Sequence, residues 1–557
     1  MTAASSLRRL EALRHAFGDG IAATKRALLT TLARSRLGNT DGVLRLHEQL
    51  CFMRAYPDDR RVLAQVNAML ATFARRADLK RHQRELDDTG VAGTRIRYRY
   101  YWPTARRLAA RWPSQLQIDW KALDEPVLLA IALPLLVTPV EAAWLRGRNP
   151  APPAAMARLA GKDTASGTFL VRRVEAYAGN DASREAFFDA LDTPFVLQPG
   201  KDTPSRTLAR HARSPVAFVK CPVLRVRQDL AAELLRPPGS VRAASPAEGA
   251  RLIELALGAL VTRSRDIDGI AYGNPDDVWM VDDGEGLQWA FIGIVPERRQ
   301  VLRASHGFLT LRSGVPIGYG QFDTLFRSAD VSFNSFDTFR GPSTARIFVR
   351  LLAAARALLG ACAFTLDGYQ IGHHNDEAIA SGAWWFYYKL GFRPRNAAIR
   401  KLAAAELARM RADPAHLSSP ATLRRLAADS LYFETEGVRA PLWPPLSDIG
   451  AMAARRLAAA GGADRELAVE ACSLRVMKKL GIASLAELPG RRADTALAWR
   501  RWAPIVDMLK LAGWSTGERR SLAAVIAAKG GRTEREFLQL FDTHPRIGAA
   551  LRALCHA

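Results

Sequence analysis

At 557 residues the chain exceeds what one hydrophobic core organises, so two to four domains are expected. Hydrophobic residues make up 48% and charged residues 24%, ordinary globular usage that excludes a disordered chain or a fibrous repeat. The formal net charge is +24, yet residues 245–396 hold 15 basic and 16 acidic side chains, which leaves a surplus of 25 positive charges on the flanks.

A basic flank attracts nucleic acid, acidic membranes or an acidic partner. Here the charge is mostly arginine scattered through Ala- and Leu-rich helices without a nucleic-acid-binding motif, so solvated helix faces are the plainer account. The five cysteines, Cys51, Cys221, Cys362, Cys472 and Cys555, are far apart and form neither a metal spacing nor a disulfide framework, as expected of buried thiols in a reducing cytoplasm. The Arg-rich start lacks an apolar secretory core, and the apolar run Pro126–Val137 is too short to span a bilayer and contains Pro134. A soluble, cytoplasmic protein is expected.

Taken in order, residues 1–148 read as a helical N-terminal region. Val43, Leu46, His47, Leu50 and Cys51 recur at helical spacing, as do Val62, Val66, Met69, Leu70 and Phe73. Between the two, Tyr56–Asp59 is a Pro-containing break with acids at the next helix start. The aromatic and basic cluster Arg95–Pro103 predicts an alternating strand or a helix entry, with stacking on bases or an adenine ring as the alternative. Residues 149–244 read as a mixed α/β linking segment, opening on the Pro-rich stretch Asn149–Met156. In it Thr168–Tyr177 and Pro215–Val226 predict strands around a helix at Glu185–Leu191. Residues 245–396 begin with an amphipathic helix, followed by strand candidates at VWMVDD, GLQWAFIGI, HGFLTLRS and Leu311–Phe322, the last with Gly314 at a turn. Residues 397–557 read as helical again, interrupted at Arg439–Asp448 and at Gly461–Gly462.

Chemistry is concentrated from Asp330 to Pro394. Val331–Phe339 has the alternation of a half-buried strand; then come Arg340, Gly341 and Pro342, and from Thr344 the residues Ile347, Phe348, Leu351, Leu352, Ala355, Leu358 and Leu359 predict a helix. Arg346 and Arg350 lie four apart on another face. A strand, a tight basic loop and a helix aim backbone N–H groups and the helix dipole at whatever lies above the strand end, an arrangement that suits a phosphate. Gly341 allows unusual backbone angles, Pro342 fixes the helix entry, Ser343 or Thr344 can cap, and Arg340 adds charge. An ordinary strand-to-helix turn has the same ingredients.

These residues resemble the GNAT superfamily of acyl-CoA-dependent N-acetyltransferases. Its phosphate loop, Arg or Gln, two residues, Gly, one residue, Gly or Ala, is matched by Arg340, Gly341, Pro342, Ser343, Thr344 and Ala345, with Ser343 at the central glycine position. A second element, Ala, three residues, Tyr, three residues, Gly-Phe, is matched by Ala383, Tyr387, Gly391 and Phe392; position 380 is Ala where the family often has Asn, and Asn375 stands earlier. Ala363–Gly372 between them would supply the neighbouring strand whose splaying makes the pantetheine slot.

The resemblance implies an α/β core with a mixed, mostly antiparallel sheet and flanking helices, set between helical N- and C-terminal regions. It implies acetyl-CoA as co-substrate, an amine acceptor and no metal. Arg340, Gly341, Ser343, Thr344 and Ala345 would hold the pyrophosphate, and the strand backbone at Phe336 and Thr338 would pair with pantetheine. Tyr387 would return a proton to the thiolate, with Tyr388 as the fallback. For the base, Asp337 and Asp330 stand on or beside the strand, and His373, His374, Asp376 and Glu377 follow the next one. The acids Asp276, Asp277, Asp282, Asp283 and Glu285 would either select a cationic amine or serve as turn residues. The rival expectation is a non-catalytic scaffold of this fold whose basic helical flanks bind nucleic acid or a protein partner.

Overall fold

The structure, a computed structural model, describes residues 2–18, 20–222, 229–435, 446–490 and 492–554. The chain divides into two compact units, each discontinuous: residues 1–224, 251–271 and 311–317 form one, and residues 225–250, 272–310 and 318–557 the other. These boundaries cut across the four segments read from the sequence. No helix among the described residues is long and apolar enough to cross a membrane.

In the first unit the helices Thr40–Ala55 and Arg60–Ala71 follow the expected periodicity, and the break between them works as expected: the Asp59 carboxylate accepts from the Val62 N–H at 2.7 Å and caps the second helix. Lys25, fully buried, reaches Asp58 at 2.8 Å. Three short strands, β1 (Ile96–Tyr98), β2 (Leu116–Ile118) and β3 (Phe195–Leu197), form an antiparallel sheet in the order β1-β3-β2.

The basic aromatic cluster is therefore a strand leading into the helix Trp102–Arg111, and its arginines are used internally, while Tyr101 is 51% exposed. Arg95 and Arg97 share Asp87 and Arg97 also takes Asp88, while Arg99 reaches Asp124 and Asp192. Tyr100 and Trp102 are buried in the core, so neither ring offers a stacking platform.

Two strand expectations here are corrected. Thr168–Tyr177 lies mostly within a helix, Ser166–Glu175, because its buried residues, Gly167, Thr168, Leu170, Val171 and Val174, follow a period near 3.6 rather than alternation. Pro215–Pro222 forms no strand, and residues 223–226 of that prediction lie outside the described residues. The expected helix is present at Asp181–Ala190. Cys51 is buried as expected, whereas Cys221 is exposed.

The second large element is a nine-stranded sheet: β4 (Ser240–Ala243), β5 (Gly273–Gly284), β6 (Leu287–Ile294), β7 (Ala304–Arg312), β8 (Val315–Leu325), β9 (Ser328–Ser335), β10 (Ala363–Leu366), β11 (Arg393–Pro394) and β12 (Leu431–Glu434). Their order is β11-β12-β10-β9-β8-β7-β6-β5-β4. The ladders β4–β5, β5–β6, β8–β9, β10–β12 and β11–β12 are antiparallel, and β9–β10 is parallel. Parallel neighbours need a crossover, supplied by the helix Thr344–Leu359, hereafter the central helix. The fold is thus mixed α/β, with a large, mostly antiparallel sheet and helical flanks. Strand β12 comes from the region read as mainly helical, so the sheet does not end at residue 396. The interruption predicted at Arg439–Asp448 falls largely outside the described residues.

Packing fixes the central helix on this sheet. Phe348 meets Phe333 of β9 at 5.1 Å, and Phe291, Phe308 and Phe322 stack along the same face. At Gly320 an added Cβ would lie 2.0 Å from the Ser332 carbonyl oxygen, so β8 and β9 close up only around glycine. Arg350, expected on a polar helix face, is fully buried. It bonds Asp283 and donates to the carbonyls of Glu233, Arg236 and Pro237. Such a satisfied buried guanidinium ties the helix to the chain before it. In the C-terminal helices, Asp507 gathers Arg456, Arg475 and Lys479 in the same way, which holds its carboxyl well below the usual range.

Candidate functional site: the fork between β9 and β10

Strands β9 and β10 start side by side and then part. Their register runs from Ala363 opposite Ser328 to Thr365 opposite Asp330 and stops, while β9 continues to Ser335 and stays paired with β8 up to Gly318 opposite Ser335. After Leu366 the chain leaves the sheet through Asp367, whose carboxylate accepts from the Tyr369 N–H at 2.8 Å, into the one-turn helix Gly368–Ile371. The far half of β9 therefore has one paired edge and one edge facing a gap.

Side chains take the place of a strand along that edge, Gln370 at Phe333 and Arg340 at Ser335. The Gln370 carboxamide donates to the Phe333 carbonyl at 2.9 Å and accepts from the Phe333 N–H at 3.4 Å. Its Nε2 also donates to the Tyr387 hydroxyl at 3.0 Å. Tyr387 lies in the helix Ala383–Lys389, is 2% exposed, and packs edge-on against Phe348 at 5.1 Å. Burial pushes this phenol well above its ordinary range, with Gln370 opposing, so it is neutral at physiological pH. Tyr388 is differently occupied, stacked on Trp384 at 5.0 Å and covered by the Arg393 guanidinium at 4.2 Å.

Beside the gap, the expected phosphate loop is a real strand-to-helix connection with a shorter strand than predicted. β9 ends at Ser335, and Asp337–Phe339 is a single 3-10 turn. Phe336 and Thr338 are consequently not strand residues; both are buried, Phe336 stacked on Tyr319 at 5.5 Å. That corrects the expectation that their backbone would extend the open edge; Phe333 is the residue at that edge.

Arg340 donates from Nε to the Ser335 carbonyl at 3.0 Å and pairs with Asp337 at 2.8 Å and Glu377 at 2.9 Å. The Asp337 side chain is 86% exposed and engaged with Arg340 on the outside of the turn, where it is a poor base for chemistry in the gap. Neither capping candidate caps the helix: Ser343, at the N-cap, makes no side-chain cap, and the Thr344 hydroxyl accepts from the Gly341 N–H at 3.0 Å, ahead of the helix. Ala345 follows in the first turn of the 16-residue central helix.

At the fork itself stands Asp330, cross-strand from Asp323 and level with Thr365. Burial, then the carboxylates of Asp323 and Asp367, push Asp330 up to about 7, with Arg303 opposing. A carboxyl titrating there exchanges protons at neutral pH.

The other acids are committed to structure. Asp277 accepts from the Trp279 indole at 3.0 Å and the Glu534 N–H at 2.8 Å, Asp283 holds Arg350, Asp282 accepts from the Gly284 N–H and Gln288, and Glu285 pairs with Arg346. The turn reading fits only Glu285, in the turn before β6; Asp276, Asp277, Asp282 and Asp283 lie within β5, with Asp276 exposed. In the His-His stretch, the rings of His373 and His374 meet at 4.2 Å, Asn375 caps the next helix, Asp376 pairs with Arg424 and Glu377 with Arg340.

Gln370 is the residue sequence reasoning missed, since nothing in GYQIG marks a contact with a strand 37 positions away. Comparison with known proteins returns no matching family model, no matching curated protein and no matching solved structure.

Proposed function

We propose that the chain is an acyl-CoA-dependent N-acyltransferase of the GNAT type, with acetyl-CoA as default donor and an amine as acceptor. The observation that carries this reading is the fork. A parallel strand pair parts beside a basic strand-to-helix loop, with a neutral buried phenol at the gap. An extended amide-bearing donor arm fits along the open edge of β9 while its phosphates meet Arg340 and the start of the central helix.

In this reading the amine nitrogen attacks the thioester carbonyl carbon and the carbon–sulfur bond breaks. The amine proton passes to a base, and the thiolate takes a proton from Tyr387. Asp330 is better suited to the base than Asp337, being buried, ionising near neutrality and standing where the strands separate. Along β9 it is about 10 Å from Phe333, at roughly 3.3 Å per residue, so the proton travels through water.

The test is thermal unfolding of the full chain with acetyl-CoA, followed by an amine screen with thiol detection. Ligand at about a hundred times its dissociation constant should stabilise the protein by roughly 2.7 kcal/mol. No shift at millimolar acetyl-CoA would overturn the reading.

A further inference from the structure

Resting on that reading, we propose that Gln370 is an intramolecular competitor for the donor's amide arm, a side-chain latch that must leave the β9 edge before acyl-CoA can bind productively. A primary carboxamide carries the same donor and acceptor as a peptide group. Gln370 uses both on Phe333, the residue whose N–H and C=O face the gap. It stands in for the secondary amide of an incoming extended ligand, which would make the same pair of bonds.

The latch is also tied to the phenol. With Gln370 in place, Tyr387 accepts from its Nε2; with Gln370 withdrawn, the hydroxyl is released to face the thioester sulfur. Filling the edge and holding the acid are thus two parts of one resting state, and binding of the arm exchanges both contacts together.

Local construction suits a moving side chain on a fixed base. The one-turn helix is pinned by the Asp367 cap and by Asn375 Nδ2 donating to the Tyr369 carbonyl at 3.0 Å. Gly372 then turns the chain at φ 126°, where an added Cβ would strike Ile379 at 2.5 Å. The backbone is held, so the exchange falls to the Gln370 side-chain torsions, which relax on the picosecond to nanosecond scale when unrestrained.

A positioning residue for Tyr387 would make the opposite prediction on deletion, which gives the test. Calorimetric titration of the full chain with CoA, and separately with ADP as a probe of the phosphate loop alone, is compared with Gln370→Ala and Gln370→Glu. The glutamate keeps the length but turns a carboxylate towards the Phe333 carbonyl. Removing the competitor should tighten CoA about tenfold in both variants, the scale of one or two net hydrogen bonds, and leave ADP unchanged.

Hydrogen exchange at the Phe333 amide gives a second readout that does not depend on affinity. Exchange should speed up in Gln370→Ala and slow again on adding CoA. If CoA and ADP bind but neither variant binds CoA more tightly, the latch is overturned while the donor reading stands. If neither ligand binds any folded form, the donor reading falls and the latch with it.

Discussion

The two halves of strand β9 form a contrast within eight residues. From Ser328 to Asp330 the strand is hydrogen-bonded on both sides, to β8 and to β10; from Val331 to Ser335 it keeps β8 and otherwise meets side chains, Gln370 at Phe333 and Arg340 at Ser335. The first half needs nothing but its neighbours. In the second half backbone groups are satisfied by side chains, which can be exchanged where a ladder cannot. One strand thus serves as scaffold at one end and, in the acyltransferase reading, as receptor at the other.

The sharpest way to test the contrast is to damage each half and compare what is lost. In the closed half, Phe364→Ala removes a fully buried ring from β10, opposite Ala329 and Phe433. It should cost about 3–5 kcal/mol in denaturant unfolding. In the open half, Tyr387→Phe should lower turnover by roughly 10²-fold, while stability changes by no more than about 1 kcal/mol.

A smaller effect is expected beside the fork. Arg340→Ala should weaken CoA binding about tenfold with near-normal unfolding, since its present partners, Asp337 and Glu377, are exposed surface acids. Comparable loss of stability in Tyr387→Phe and Phe364→Ala would erase the distinction between the halves.

A pH-dependent effect belongs to Asp330, at the junction. Its folded-state pKa is raised to about 7 by burial and by Asp323 and Asp367, with Arg303 opposing. Its favourable contribution is therefore fully present below the ordinary carboxylate range and is lost as pH rises from about 4 through about 7. Asp330→Asn should flatten stability over that window, and in the acyltransferase reading it should also remove the acidic limb near pH 7 from the rate profile. An unchanged slope in unfolding free energy between those values would show that another group titrates there.

Much of this architecture was legible because local pattern and final packing agree. The central helix begins at Thr344, as its periodicity predicts, and Gly314 occupies its turn at φ 80°. Phe169, Leu170 and Val171 misled because a run of apolar residues fits a strand as readily as a helix until their neighbours choose the period. Arg350 looked like a surface cation because the oxygens that bury it come from Asp283 and from the carbonyls of Glu233, Arg236 and Pro237, all distant in sequence. Of the candidate site, the strand–turn–helix connection carrying Arg340 and Thr344 was legible because it is contiguous. The fork at Asp330 and the amide pairing of Gln370 arise from where two strands stop being parallel, which no local stretch encodes.

Strand β12 lies between β10 and β11 although it follows both in the chain. During synthesis, the outer edge of β10 is complete at Leu366 but its partner arrives only with residues 431–434. At ~5–20 residues per second the ribosome leaves that edge uncovered for several seconds. In that interval Phe364 borders an unpaired strand, the kind of edge that recruits other nascent chains. A chain stopped at residue 396 would keep the edge open permanently, so the helical tail owes the sheet its last seam.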